Sequence, residues 1–183
     1  MKNLDHIEDF SFGQEFFAHW QSMVRREPDQ IPYRHDFDPA RITSLLPHTF
    51  VGEWRDENTF MIRLIGTWIE QFIGKARPDE NIFNNYKPHE KKLFKDFINN
   101  VISTPCVGYV DRSIMLEGDD EFAFKSVYCP FNDNNGVPRY IIGVSHLKGA
   151  KTWQVEDFVK LLKKSVFNSF EYIDVGHGTP KDT

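Results

Sequence analysis

Few residues of this chain combine the type and spacing that chemistry needs. Its two cysteines, Cys106 and Cys129, lack the close pairing of a metal site or dithiol motif. In a hairpin turning near Asp119 they would lie within a few residues of each other across the ladder, which leaves a redox pair open. Two small core residues in a reducing cytosol is the favoured reading. The seven histidines have no metal-ligand spacing. Neither cysteine sits in a local nucleophile signature with His and Asp. Lys160, Lys163 and Lys164 read as a solvated helix face, not a phosphate site. No metal site and no catalytic residue is therefore expected.

Gly118, Asp119, Asp120, Glu121 and Phe122 have the outline of the hairpin signature of diguanylate cyclases. That signature needs two adjacent glycines so that a nucleotide can approach the backbone. Asp119 holds the second place and brings a side chain and a charge, so a polar β-turn is the better reading.

A chain of 183 residues suggests one domain with additional terminal elements. Such a domain buries roughly 70% of its unfolded surface and needs no disulfide or metal. Aromatic residues are 15% of the chain and 17 residues are Phe, enough rings to fill a core, line an apolar pocket or make an interface. The net charge of −5, with signs interspersed, argues against nucleic acid as a partner, because that needs a basic face. No apolar run approaches a membrane span, and the acid-bearing start MKNLDHIEDFSFG is not a signal peptide. The cytoplasm is the expected location.

The elements follow from periodicity and punctuation. Residues 1–10 read as a loose lead-in. A helix opens at Ser11, with Gln14 completing a capping box, and carries Phe12, Phe16, Trp20 and Val24 on one stripe. Asp38 and Pro39 start a short helix that runs to Leu46 and stops at Pro47. Residues 48–55 and 59–65 form a hairpin, with Phe50 and Trp54 inward and with Phe60, Ile62 and Leu64 sharing a face opposite Arg63. Thr67 and Glu70 cap a very short helix that ends at Gly74, and one helical turn is placed at Ile82 and Phe83. A longer helix starts at Pro88 and presents Leu93, Phe94, Phe97, Ile98, Val101 and Ile102. Strands at 106–117, 121–131 and 137–147 come next as an antiparallel meander. Residues 151–172 read as a helix, with Val155, Phe158, Val159, Leu162, Val166 and Phe170 on one side, and the tail from 176 as disordered. The expected organisation is an N-terminal helical extension (1–47), a core (48–147), and a C-terminal helix and tail (148–183).

Local sequence sharpens this order. The stretch FDPARITSLLPHTFVGEW (37–54) precedes FMIRLIGTWIEQFIGKARPDENIF (60–83). The motif residues are Leu46-Pro47-His48, then Arg63-Leu64-Ile65-Gly66-Thr67, then Gly74, with FEYIDVGHG (170–178) near the end. With them the chain resembles a bacterial subfamily of mostly stand-alone, mainly alphaproteobacterial PAS domains, over about residues 14–147. The resemblance implies an α+β fold: a PAS-like five-stranded antiparallel sheet with helices on one face, plus N-terminal helices and a C-terminal helix.

It also implies where a ligand would sit. Between sheet and helices, Phe60, Ile62, Leu64, Trp68, Phe72, Phe83, Phe94 and Phe97 would line an apolar small-molecule pocket, or simply fill the core. The cofactor is unknown. Covalent flavin switching is disfavoured, because the central helices hold Asn81-Ile82-Phe83-Asn84-Asn85 and no cysteine. Haem is disfavoured because His89, the one candidate axial ligand, lies in a helix's first turn among Lys and Glu. The helix before the first strand implies a homodimer through Phe12, Phe16, Trp20 and Val24, unless that stripe covers the chain's own sheet.

The expected function is a non-catalytic sensory or signalling module, binding a small apolar ligand and signalling through a homodimer or an unidentified partner protein. One alternative is a protein-interaction module with a filled core and no ligand. Another is a small cone-shaped α+β enzyme of ketosteroid-isomerase type, which needs an acid or histidine facing the cavity.

Overall fold

The computed structural model describes residues 4, 6–7, 9–23, 25, 31–73, 78–117, 121–148 and 162–180, with the backbone alone at 71–73, 116 and 162–163. Six antiparallel strands form one sheet: β1 (Thr49–Asp56), β2 (Thr59–Ile65), β3 (Val107–Leu116), β4 (Glu121–Asn132), β5 (Pro138–Leu147) and β6 (Leu162–Ile173). Their order is β2-β1-β5-β4-β3-β6. Three helices accompany them: α1 (Ser11–Ser22), α2 (Thr67–Ile73) and α3 (Pro88–Ser103). Short 3-10 turns lie at Arg34–Asp36, Pro39–Ile42, Leu46–His48 and Ile82–Asn85. No helix among the described residues is long and apolar enough to cross a membrane.

The expected hairpin and meander are present, but the sheet has six strands, not five. The C-terminal helix expected over 151–172 is a strand from Leu162 onward; its part at 151–161 lies outside the described residues. The physical cause is a β-bulge. Asp111 pairs with Ser169 and Arg112 with Phe167, so Asn168 is an extra residue. The bulge puts Phe167 and Phe170 on one side three residues apart, a spacing that imitates a helix.

Period-two alternation gives the sheet two apolar faces. Val51, Val127, Cys129, Phe131, Ile142 and Val144 belong to the outer one, and α1 lies on it through Phe16, Phe17 and Trp20. Trp20 Nε1 donates to the Pro130 carbonyl at 3.1 Å, satisfying its polar tip in the core. Helices therefore cover both faces. Phe50, Val110, Tyr128 and Ile141 face the inner, concave side, where α3 lays its stripe. Two adjacent asparagines brace α3 across the sheet. Asn99 accepts from Trp54 Nε1 of β1 at 2.8 Å, and Asn100 donates to the Tyr172 hydroxyl of β6 at 3.1 Å.

The N-terminal segment also departs from expectation. Leu4, Ile7 and Phe10 are buried in the outer core, so these residues of the expected loose lead-in are packed. No Ser11–Gln14 capping box forms. Phe10 is the N-cap, and Gln14 Nε2 instead donates to the carbonyls of Leu4 and Ile7. Asp38 does cap, accepting from Ala40 N at 3.0 Å, but two separate 3-10 turns stand in place of one helix to Leu46. After β6 the Asp174 carboxylate accepts from the N–H groups of Gly176 and Gly178, which orders the start of the tail. The expected helix end at Gly74 and the turn at 118–120 lie outside the described residues.

Candidate functional site

The concave face carries a continuous layer of aromatic rings. From α3, Phe94 and Phe97 reach Tyr128 of β4 edge-on, at centroid distances of 6.0 and 5.1 Å. Phe94 meets Phe83 at 6.0 Å, and Phe83 meets Phe60 at 6.3 Å. On the other side Phe94 stacks on Phe167 at 5.9 Å, and Phe97 meets Phe170 and Tyr172 at 5.1 and 5.6 Å. Such close ring packing needs a bare backbone beneath it. A Cβ on Gly108 would come within 2.4 Å of the Phe97 ring, and one on Gly52 within 2.1 Å of Phe60.

The structure brings together Phe60, Ile62, Phe83, Phe94 and Phe97, all buried on this face. Leu64 is not among them. It is 46% exposed, because a bulge at Arg63 pairs it with Val51 and turns it to the outer side. Ile65, which pairs with Phe50, takes the inner place instead. Arg63 itself is held by Glu53 at 2.8 Å and by Asp79. Trp68 is partly buried at the margin and sits against His48 and His146, at 4.4 and 5.5 Å between ring centroids. The Phe72 side chain lies outside the described residues.

Trp68 belongs to a seam at one end of the sheet. His48 and His146 lie 5.5 Å apart, and Phe12 of α1 packs on both at 4.5 Å. His48 Nδ1 donates to the Ser145 carbonyl at 3.3 Å, while His146 Nδ1 is buried without a partner. Burial holds both imidazoles below the usual histidine pKa; the bond to Ser145 offsets part of this for His48, and the neighbouring His48 lowers His146 further. The seam joins the outer helix α1 to the inner helix α2.

Of the residues expected at a dimer interface, Phe16 and Trp20 are covered by the chain's own sheet, with 0% and 1% exposure. Phe12 is partly buried against the seam, and Val24 lies outside the described residues. The cysteines are buried on opposite faces, Cys106 inner and Cys129 outer. Burial pushes the Cys106 thiol up to about 12 and that of Cys129 well above its usual range, so neither forms a reactive thiolate readily. His89 is exposed at the start of α3.

Sequence reasoning missed the polar corner of the concave face. Arg112 sits on β3 between Val110 and Ile114, and Val110 points into the apolar layer. Its guanidinium lies 4.4 Å from the Phe167 ring centre and 5.4 Å from that of Tyr86. One terminal nitrogen donates to Ser165 Oγ at 2.6 Å and the other to the Tyr86 hydroxyl at 3.3 Å. Tyr128 is fully buried behind them, and desolvation raises its phenol pKa so far that it stays a neutral hydroxyl. The alternation Val110, Arg112, Ile114 was the available signal: a charge at an inward position of an apolar strand. Phe167, Phe170 and Tyr172 were missed with β6.

No curated protein is similar enough to match the chain. Among solved structures, the PAS domain of BvgS from Bordetella pertussis is similar at 18% identity and a TM-score of 0.44, covering 66% of this chain and 91% of that one. A family model described as PAS domain matches residues 9–146. That match runs from the lead into α1 through nearly all of β5, well over half the sequence, and the chain belongs to the PAS domain family.

Proposed function

We propose that this chain is a non-catalytic sensory module whose concave face takes a small, largely apolar ligand. Family membership over residues 9–146 supports a sensing or signalling role. The observation that carries the ligand reading is the aromatic layer between α3 and the sheet, bordered by a half-buried polar corner around Arg112. Occupancy there would bias how α3 and β6 meet, and a second copy of the chain or a partner protein would respond to that shift. A dimer built on the α1 stripe requires α1 to leave the sheet, since Phe16 and Trp20 are buried beneath it. Among the described residues the buried polar side chains are Thr49, Ser126, Asn132 and Ser145. None of these four is an acid or histidine, and the half-buried His48 and His146 pack on Phe12 and Trp68 and not on the α3 rings, which weighs against the isomerase-like alternative.

Native mass spectrometry of the purified chain, with an absorbance scan, tests the proposal. A retained small-molecule mass supports it. A bare chain whose concave-face resonances ignore every apolar compound offered would favour the interaction module with a filled core.

A further inference from the structure

The corner around Arg112 holds a cation without a visible counter-charge. Arg41, Arg55, Arg63 and Arg139 each stand within 4 Å of a carboxylate. Arg112 has no such partner among the described residues. Its two hydrogen bonds go to neutral hydroxyls, on Ser165 and Tyr86, and two rings flank it. Its Nε is buried and has no acceptor. A guanidinium offers five N–H donors, and the Nε edge is one that a carboxylate takes with two parallel bonds. A cation half-withdrawn from water among rings is costly unless an anion joins it. Arg112, Tyr86, Ser165 and Phe167 are all only partly buried, so the corner reaches the surface, and an incoming group would gain the buried Nε edge by turning the flanking Phe167 or Tyr86 ring aside.

We propose that Arg112 is the anion-binding residue of the concave face, and that the ligand is a monocarboxylate with an apolar, ring-compatible body. The carboxylate would take the free Nε edge, with the Tyr86 and Ser165 hydroxyls beside it, while the body lies along Phe167 and Phe94. One cation, neutral hydroxyls and flat walls suit a single negative charge. A phosphate brings a charge of about −1.5 to −2 and three acceptor oxygens, and so needs more cations. This inference rests on the concave face being the ligand site.

Phenylacetate and its neutral counterpart phenylacetamide separate the two ideas. Both are titrated into the whole chain while the Arg112 Nε–H and the concave-face aromatic resonances are followed by NMR. Phenylacetate is expected to shift the Nε–H signal and to bind about tenfold to a hundredfold tighter than the amide. Arg112→Gln should bring the acid down to the level of the amide, and Arg112→Lys should keep part of the preference. Circular dichroism confirms that each variant is folded. If acid and amide bind alike, or Arg112→Gln leaves the acid unaffected, the carboxylate assignment falls while ligand binding at the concave face stands. If neither compound moves any concave-face resonance, both fall.

Discussion

A Cβ built on Gly66 would lie 2.3 Å from the carbonyl oxygen of Pro47. The same glycine donates its N–H to the Thr49 carbonyl at 2.7 Å. Leu46-Pro47-His48 and Gly66-Thr67, distant in sequence, are thus two halves of one contact, which seats the start of α2 against the entry to β1. The obstructing atom is backbone and cannot swing aside. Gly66→Ala is expected to cost about 1–3 kcal/mol, read as a lower midpoint in urea unfolding. A wild-type midpoint would show that the corner can widen freely.

Phe97 is a hub of the concave layer. It touches Tyr128, Phe170 and Tyr172 and lies over Gly108. Phe97→Ala leaves a hole that its neighbours on the strands cannot fill, so its expected cost is about 3–5 kcal/mol. Phe97→Leu should lose much less, because most of the volume remains. Equal midpoints for the two variants would contradict a tightly packed layer.

The His48–His146 seam makes stability depend on pH. Burial lowers both pKa values below the ordinary 6.5. Unfolded histidines then bind protons more readily than folded ones. Stability is full above the unfolded pKa and is lost as pH falls below it, levelling off beneath the folded value. The melting temperature should therefore drop between about pH 7.5 and pH 5. The double variant His48→Gln, His146→Gln should flatten most of that slope. A remainder is expected from His19, whose pKa is lowered by burial and by Arg41. An unchanged slope in the double variant would remove the seam as its source.

Much of the fold was legible because unbroken alternation and unbroken helical stripes carry one answer each. Of the expected α3 stripe, Phe94, Phe97, Ile98, Val101 and Ile102 are buried as the spacing predicts, whereas Leu93 at its edge is exposed. Phe60, Ile62 and Phe83 reached the expected face with it. Leu64 and β6 misled for one shared reason. Both edge strands contain a bulge, at Arg63 in β2 and at Asn168 in β6, and each bulge shifts the pattern by one residue. In both cases the extra residue is polar and tied to the neighbouring strand: Arg63 to Glu53, and Asn168 to Asp111 and Ser113. Arg112 escaped notice because a lone charge in a strand ordinarily faces water, and only its register shows otherwise.

The bulge in β6 can be tested directly. Asn168 donates to Asp111 Oδ1 at 2.9 Å and to Ser113 Oγ at 3.0 Å, at the exposed side of the sheet. Asn168→Ala keeps the extra residue and removes only these exposed bonds, so it should cost about 1 kcal/mol or less. Deleting Asn168 removes the residue itself. Every side chain from Lys164 to Phe167 must then change face or lose its pairing with β3. Phe167 would leave Phe94, and Ser165 would leave Arg112. The deletion is expected to cost at least about 2 kcal/mol more than the alanine variant, and to abolish any preference for phenylacetate over phenylacetamide. Equal stability of the two variants would mean that the aromatic layer does not depend on this extra residue.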